Sequence, residues 1–185
     1  MRCFISVTPS ASVRERAFAL AERIVSCEAN ARPVLPGNMH VTLQFLGEIP
    51  AGMAETVSNA LAGAVSGFPP FNAGFRGFGA FPSESNASVL WSRLDKGEGE
   101  ITGLSRRIAD ATVGLGIKNG ENRFLPHLTV ARFRKPVNLS RLEVFSQLMQ
   151  TEIGMFAIDR IALMHSDLTP AGPVYRELCS CGLKA

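Results

Sequence analysis

The sequence predicts an α+β fold with antiparallel sheets, and three observations support that prediction. Strand-like and helix-like patterns are mixed along the chain. Several links between successive strands are nevertheless too short to be parallel crossovers, which need about a dozen residues. The chain has 185 residues, of which 46% are hydrophobic and 19% charged. We therefore expect residues 1–185 to bury one core as a single domain, with no need for disulfides or a structural metal.

The first elements of the chain alternate between strand and helix. Apolar residues alternate over 2–8, which predicts a strand. Ser12 and Glu15 form a potential capping box just before an apolar stripe at helical spacing. Two prolines and a glycine over 30–38 predict a loop, and 39–46 has the pattern of a second strand. A second helix is predicted from the apolar stripe Met53, Val57, Leu61 and Val65.

The middle of the chain continues with strands on either side of a third helix. Residues 71–81 are rich in phenylalanine and glycine, which predicts a strand with a bulge or close packing at its glycines. After a turn, 88–94 predicts another strand, and a polar loop over 116–126 precedes a strand over 127–133. The third helix is predicted from the stripe Ile101, Leu104, Ile108, Ala111 and Leu115.

The last third of the chain predicts one more helix and a closing strand. Ser140 and Glu143 form a second potential capping box, at the start of a fourth helix. Residues 153–165 predict one strand or a bent pair of strands. Residues 168–173 predict a turn, and 174–181 a closing strand.

Charge, cysteine spacing and the absence of long apolar runs indicate which partners and which cellular location to expect. The net charge of +3 permits a phosphate-bearing partner without requiring one, and no block of like charges indicates a nucleic-acid arm. None of the four cysteines is spaced as C-x-x-C, so we interpret them as reduced, mostly buried thiols. We find neither a signal-peptide pattern nor an apolar run of about 18 residues, so we expect a cytoplasmic protein without a membrane helix.

A short internal repeat is the most informative feature of the sequence. One copy reads His-Val-Thr from His40, and the other reads His-Leu-Thr from His127, which lies 127 − 40 = 87 residues later. Side chains two residues apart on a strand share a face. Each histidine therefore lies beside a threonine hydroxyl, that of Thr42 in the first copy and Thr129 in the second.

Two such histidines on equivalent strands would form a catalytic pair if they faced each other across a groove. One imidazole can act as general base and the other as general acid, because the free pKa is near 6.5. The threonine hydroxyls can hydrogen-bond phosphate oxygens. A single His-x-Thr is usually structural, since threonine favours strands. Two copies, which use two of the three histidines, instead favour cleavage of a phosphodiester without a metal.

Strict alternation also assigns a face to the residues that follow each motif. It places Gln44 on the same face as His40, and it points Phe45 toward the core. In the second copy it points Arg132 away from the face of His127, unless a β-bulge re-aims the side chain.

The two motifs and their surroundings resemble the 2H phosphoesterase superfamily, and specifically the RNA 2′,3′-cyclic phosphodiesterases, also called the 2′-5′ RNA ligase family. The matching segments are 38–47, which reads NMHVTLQFLG, and 126–132, which reads PHLTVAR. Segments 2–7, 89–91 and 168–175 also fit, so the resemblance covers essentially the whole chain.

The resemblance implies a fold, an activity and residue roles. The fold would have two pseudo-symmetric lobes with a groove between them that holds one motif from each. The activity would be hydrolysis of RNA 2′,3′-cyclic phosphate ends to 2′-phosphomonoesters, without cofactor or metal. Some family members also join tRNA halves through a 2′-5′ linkage, reversibly and without ATP. His40 would protonate the leaving 3′ oxygen, His127 would activate water, and Thr42 and Thr129 would hold the phosphate.

Three further residues receive roles or alternatives from the resemblance. Arg132 matches a family arginine that would offset charge on the phosphate. Phe45 matches a family aromatic near the base-binding region, although alternation favours a core position for it. Tyr175, the only tyrosine, either lines the groove or packs within the fold.

We expect the partner to be an RNA with a 2′,3′-cyclic phosphate end, such as a tRNA fragment, and the protein to be a monomer. The residues alone do not decide which histidine is the acid. Two other functions also fit them. One is a non-catalytic module that binds an RNA end or a nucleotide, and the other is a phosphodiesterase for a small cyclic nucleotide.

Overall fold

The elements follow the predicted order, with one added edge strand and one strand divided in two. The structure is a computed structural model that describes residues 1–117, 124–170 and 172–185. Its elements are β1 (Arg2–Val7), α1 (Ala11–Val25), β2 (Ala31–Pro33), β3 (Val41–Glu48), α2 (Ala54–Val65), β4 (Phe71–Phe81), β5 (Ala87–Lys96), α3 (Glu98–Val113), β6 (His127–Val137), α4 (Glu143–Leu148), β7 (Glu152–Ile158), β8 (Arg160–Thr169) and β9 (Gly172–Gly182).

The strands form two antiparallel sheets. One has the order β3-β1-β8-β9 and the other β2-β6-β5-β4-β7. Apart from the edge strand β2, the run β1-α1-β3-α2 is matched by β5-α3-β6-α4. In each run the first strand pairs with the strand that begins at a motif histidine or directly after it. The prediction of an α+β fold with antiparallel sheets and flanking helices is confirmed. Strands β3 and β6 contact each other, so the two motifs meet where the sheets approach.

The helices bury most of the apolar stripes that their spacing predicts, and this burial holds them against the sheets. Met53 and Leu115, which the stripes included, lie outside α2 and α3. In α1 the stripe includes Ala17 and Ile24, and in α3 it includes Leu104 and Ile108, all of which are fully buried. A fully buried leucine or isoleucine contributes about 1.5–3 kcal/mol relative to exposure. The helices thus cover one face of the sheets and leave the face with the motifs free.

A β-bulge follows the threonine of the first motif. Pairing between β1 and β3 skips Leu43, so Leu43 and Gln44 both point into the core. There Gln44 Nε2 donates to Thr112 Oγ1 of α3 at 2.8 Å. The expectation that Gln44 shares the face of the motif histidine is therefore wrong. The extra residue also turns Phe45 outward, where it is 67% exposed and not in the core as alternation predicted.

The second motif contains a bulge at the matching place. Pairing between β5 and β6 skips Val130, and both Val130 and Ala131 are fully buried. Arg132 consequently returns to the face of Thr129 and is exposed. Strict alternation pointed it the other way, and the bulge supplies the one-residue shift that re-aims it.

Neither potential capping box forms. Helix α1 begins at Ala11, one residue before Ser12, and Ser10 precedes it without a side-chain capping bond. Helix α4 begins at Glu143, after a short 3₁₀ turn. Ser140 belongs to that turn, and its hydroxyl donates to Asn138 Oδ1 at 2.6 Å. The capping-box pattern was present in the sequence, but the chain starts each helix elsewhere.

Several predicted boundaries also shift. The loop predicted over 30–38 contains β2, which adds an edge strand beside β6. The segment 153–165 is a pair of strands, β7 and β8, which confirms one of the two predicted alternatives. Strands β8 and β9 extend into the turn predicted at 168–173. Residues 118–123 of the predicted polar loop lie outside the described residues. All four cysteines are free, but only Cys3 is buried, so the expectation of mostly buried thiols is wrong.

Among the described residues, no helix combines the length and apolarity needed to cross a membrane.

Candidate active site

Each motif histidine is held by the main chain just upstream of it. His40 Nδ1 lies 2.8 Å from the carbonyl oxygen of Asn38, and His127 Nδ1 lies 2.8 Å from that of Leu125. A carbonyl oxygen only accepts hydrogen bonds, so Nδ1 carries the proton in both rings. The two Nε2 atoms are therefore the ones left for proton transfer, as acceptor when the ring is neutral and as donor when it is charged.

Aromatic rings enclose His40 on two sides. The ring of Phe4 stacks on the imidazole with centroids 4.7 Å apart. Tyr175 meets it edge-on at 5.0 Å. Tyr175 therefore lines the site, which resolves the alternative that the sequence left open. Phe45 contacts Phe4 in turn, at 6.4 Å, so an exposed apolar surface continues outward from the imidazole.

A second pair of aromatic rings encloses His127. Phe81 meets it edge-on at 5.1 Å and Trp91 at 5.9 Å. Phe81 also stacks on Trp91 at 4.9 Å. Gly79 makes room for this arrangement, because a Cβ there would lie 2.7 Å from the Trp91 ring.

Sequence reasoning missed three of these rings as parts of the site, those of Phe4, Phe81 and Trp91. One signal was present: Phe4 and Trp91 are 91 − 4 = 87 residues apart, the same spacing as the two histidines. The repeat therefore extends beyond the two motifs to the strands that pair with them.

The environment lowers the pKa of both imidazoles. Burial is the largest cause for each, and the positive charge of Arg132 lowers both pKa values further. The hydrogen bonds to the Asn38 and Leu125 carbonyls partly offset this, since they favour the charged ring. His127 also lowers the pKa of His40. Both rings are thus neutral near pH 7 unless an anion binds beside them.

Arg132 links the two sides of the site. Its charge acts on His40, on His127 and on Tyr175, so all three groups lie near its guanidinium. Burial raises the pKa of Tyr175, against a smaller lowering by Arg132 and Arg2, so its hydroxyl stays protonated and can donate. Of the six predicted site residues, the structure brings the two histidines and Arg132 together.

The remaining predicted residues flank that centre. Thr42 and Thr129 are half-buried, each two positions after its histidine. Phe45 is exposed at the rim on the His40 side. The charge of Arg132 acts on both imidazoles, and each imidazole has a threonine two positions after it. Such a set of groups suits proton transfer to and from a bound phosphate ester.

A cleft of about 480 Å³ opens beside Trp91. Three serine side chains and Arg93 also line it. Trp91 is 6% exposed, and its Nε1 makes no hydrogen bond to any described residue. Because the Trp91 ring also contacts His127, this open cleft adjoins the candidate site. The lining residues are Gly79, Ala80, Ser83, Glu84, Ser85, Trp91, Arg93 and Ser140.

Acidic, histidine and cysteine side chains do not cluster in the described part of the chain. No group of three or more of them could hold a metal ion there.

Comparison with known proteins gives sequence matches over almost the whole chain. The family model described as LigT like phosphoesterase matches residues 7–91. A protein of Methanothermobacter thermautotrophicus named RNA 2′,3′-cyclic phosphodiesterase is 30% identical over 179 residues, which is 96% of both chains. A protein of the same name from Aquifex aeolicus is 33% identical over 180 residues, covering 95% of this chain and 93% of its own.

Solved structures show the same architecture. TT0787 of Thermus thermophilus superimposes with a TM-score of 0.83 at 28% identity, covering 99% of this chain and 98% of its own. E. coli LigT complexed with 3′-AMP gives a TM-score of 0.78 at 21% identity, covering 100% of this chain and 98% of its own. At that identity the second likeness concerns the fold alone.

Proposed function

Because the chain belongs to the LigT-like phosphoesterases, a branch of the 2H phosphoesterases, we propose that it hydrolyses 2′,3′-cyclic phosphate ends of RNA to 2′-phosphomonoesters. Relatives that are at least 30% identical over almost the whole chain carry the name of that activity. One observation in the site supports it most directly. Two imidazoles, one directly before β3 and one at the start of β6, lie near the same guanidinium, and neither Nε2 has a hydrogen-bond partner among the described residues.

The proposed reaction needs one neutral and one protonated histidine. His127 Nε2 accepts a proton from water as the water oxygen bonds to phosphorus. The bond between phosphorus and the ribose 3′ oxygen breaks, and His40 Nε2 gives its proton to that oxygen. The 2′ oxygen keeps the phosphate. At the end the two histidines have exchanged protonation states, and a proton returns through solvent.

Both depressed pKa values fit a site that binds an anion. A neutral His127 is ready to act as base, since burial and the nearby Arg132 hold its pKa low. His40 must be protonated, and a bound phosphate would favour this because an adjacent negative charge stabilises the imidazolium. Substrate binding would thereby help to create the acid form that the reaction consumes.

The other polar groups would bind the phosphate itself. The hydroxyls of Thr42 and Thr129, each two positions after a histidine, would donate to its non-bridging oxygens. Arg132 would oppose the negative charge that grows on those oxygens in the transition state. Removing one such donor from an enzyme typically costs about 10²–10³ in rate.

The apolar surface on the His40 side would receive the nucleoside. In the proposed reaction the ribose leaves toward His40, and Phe45 lies on that side, exposed and in contact with Phe4. Stacking of a base on an aromatic side chain contributes about 1–3 kcal/mol and tolerates any base. This suits an enzyme that acts on many RNA ends, tRNA fragments among them.

The same geometry would also allow RNA joining. If the 5′-hydroxyl of a second RNA took the place of water, His127 would accept its proton and a 2′-5′ phosphodiester would form. One ester bond to phosphorus replaces another, so the step is reversible and consumes no ATP.

A single-turnover assay on a 2′,3′-cyclic nucleotide, followed by phosphorus NMR, tests the proposal. We expect release of the 2′-monophosphate, with no loss of rate in a strong chelator. Binding without product would instead identify a binding module. Hydrolysis of mononucleotides in clear preference to oligonucleotides would identify an enzyme for a small cyclic nucleotide.

A further inference from the structure

The edge strand β2 adds an arginine to the groove that the motif analysis did not single out. Arg32 pairs directly with Arg132 in the antiparallel register between β2 and β6. Directly opposed residues of neighbouring strands point to the same face, with Cα atoms about 4.5–5.5 Å apart. Arg32 is exposed, as Arg132 is, so it faces the same groove one strand further out.

The main chain on both sides fixes Arg32 in that position. The amide of Val34 donates to the Val130 carbonyl at 2.8 Å, and the amide of Arg134 donates to the Asn30 carbonyl at 3.1 Å. These two bonds bracket the three residues of β2. The short strand therefore cannot slip relative to β6 without breaking them, and a one-residue slip would turn Arg32 to the opposite face.

Two like charges directly opposite each other on neighbouring strands are destabilising. Here nothing within the described residues offsets the repulsion, because neither arginine forms an ion pair or hydrogen bond with an acidic side chain there. The unrelieved pair is therefore suited to an anionic ligand that both guanidinium groups can approach.

The position of the pair limits which part of a ligand Arg32 can reach. Arg132 is the member whose charge acts on both histidines, so it serves the phosphate that reacts. Arg32 lies on the edge strand β2, one strand outward from β6, which carries His127 and Arg132. A nucleoside cyclic phosphate carries a single phosphate and fills only the inner position. An RNA strand carries more phosphates along its backbone.

We propose that Arg32 binds a backbone phosphate of the RNA and so makes the enzyme prefer oligonucleotide ends over mononucleotides. The guanidinium fork is well matched to phosphate, and a contact to the backbone carries no base preference. The inference rests on the proposed function, which it deepens by naming the substrate as an RNA strand of at least two nucleotides.

The test compares kcat/KM on a nucleoside 2′,3′-cyclic phosphate and on a short oligonucleotide with the same end. For Arg32→Gln we expect a loss of roughly ten- to a hundredfold on the oligonucleotide, carried by KM, because a charge-assisted hydrogen bond is removed. On the mononucleotide the change should stay below about twofold. The slope of log kcat/KM against log salt should fall in magnitude by about 0.7 on the oligonucleotide.

Two further variants control this comparison. Arg106 is exposed on α3, on the helical side of the sheet, and forms no ion pair with a described residue. Arg106→Gln removes one positive charge, as Arg32→Gln does, and should leave kcat/KM unchanged on both substrates. Arg32→Lys keeps the charge and should retain most of the wild-type kcat/KM on the oligonucleotide. Equal losses on both substrates in Arg32→Gln, or no loss on either, would overturn the role assigned to Arg32.

Failure of the proposed function gives a different result. If the wild-type protein hydrolyses neither substrate, binding of an oligonucleotide that ends in a 2′-phosphate, measured by fluorescence anisotropy, tests Arg32 separately. Weaker binding by Arg32→Gln than by Arg106→Gln would support the contact, and equal binding would refute it.

Discussion

The two motif strands use the same backbone device to present opposite chemistry. Both carry a bulge directly after the threonine, and in both the next exposed side chain returns to the groove. In β3 that side chain is Phe45, and in β6 it is Arg132. The repeat thus conserves backbone geometry and histidine placement, while the residue five positions after each histidine has diverged. One side of the groove is apolar and the other is cationic.

The rings around the histidines show the same partial symmetry. Phe4 on one side and Trp91 on the other keep the 87-residue spacing, and both contact an imidazole. Their partners differ: Tyr175 comes from β9, and Phe81 comes from the end of β4. Burial lowers the pKa of both histidines, so the two environments agree in their effect even where their residues differ.

The largest expected effect comes from the histidines, which the proposal assigns to different steps. His40→Ala and His127→Ala should each lower kcat at least about a hundredfold on a cyclic phosphate. A phosphodiester with a nitrophenolate leaving group needs no proton on departure. On that ester His40→Ala should recover most of its rate and His127→Ala should not.

The third histidine supplies the control for that experiment. His165 lies near Asp167 on β8, and its Nε2 is 3.4 Å from a carboxylate oxygen. His165→Ala should leave kcat within about twofold. Recovery by His127→Ala in place of His40→Ala on the activated ester would exchange the acid and base assignments.

Replacing Arg132, the positive charge that acts on both histidines, should have the next largest effect on kcat. Arg132→Gln should lower kcat about 10²–10³-fold, with Arg106→Gln unchanged. Burial and Arg132 both lower the histidine pKa values, so loss of Arg132 raises them. The optimum of kcat/KM lies between the two pKa values, hence below pH 6.5 in the wild type, and it should move to higher pH in Arg132→Gln. A profile that stays in place would contradict the assigned electrostatic contact.

Phe45, which lies five positions after His40 as Arg132 does after His127, should affect substrate binding more than the chemical step when it is replaced. Phe45→Ala should raise KM roughly fivefold to a hundredfold with little change in kcat, since base stacking contributes about 1–3 kcal/mol. Phe45→Trp should retain the wild-type KM. Val113, 52% exposed on α3, provides an apolar truncation elsewhere, and Val113→Ala should have no effect. A fall in kcat at constant KM would show that Phe45 acts on the reaction and not on the base.

The smallest effect tests how the two bulges are supported. The first buries Gln44, bonded to Thr112, whereas the second buries Ala131. Thr112→Val should cost about 1–3 kcal/mol, or roughly 2–10 °C in Tm by calorimetry, because Gln44 loses a buried partner. Thr56→Val, at an exposed site on α2, should shift Tm by little. An unchanged Tm in Thr112→Val would mean that the bond adds nothing to the support of β3.

The sequence predicted the element types and singled out the two histidines as candidates, because both depend on local patterns. Apolar spacing identifies buried faces, and a repeated His-x-Thr is visible without any structure. The bulges were not predictable in this way. Alternation placed Gln44 in the groove and Arg132 away from it, and each was reversed by one unpaired residue whose presence depends on the neighbouring strand. The edge strand β2 was also missed, since Pro33 reads as a loop signal and its pairing with β6 is a tertiary contact.

The carbonyl oxygens of Asn38 and Leu125 orient the two imidazoles. Many enzymes orient a catalytic histidine with a carboxylate side chain, which a single mutation removes. A main-chain acceptor survives any substitution at its own position that leaves the local backbone path intact. Substitutions at positions 38 and 125 therefore keep the acceptor, although one at 38 also removes the hydrogen bond that Asn38 Nδ2 donates to the Pro173 carbonyl. Natural variation at these positions is expected to be tolerated far better than any insertion or deletion between the acceptor and its ring.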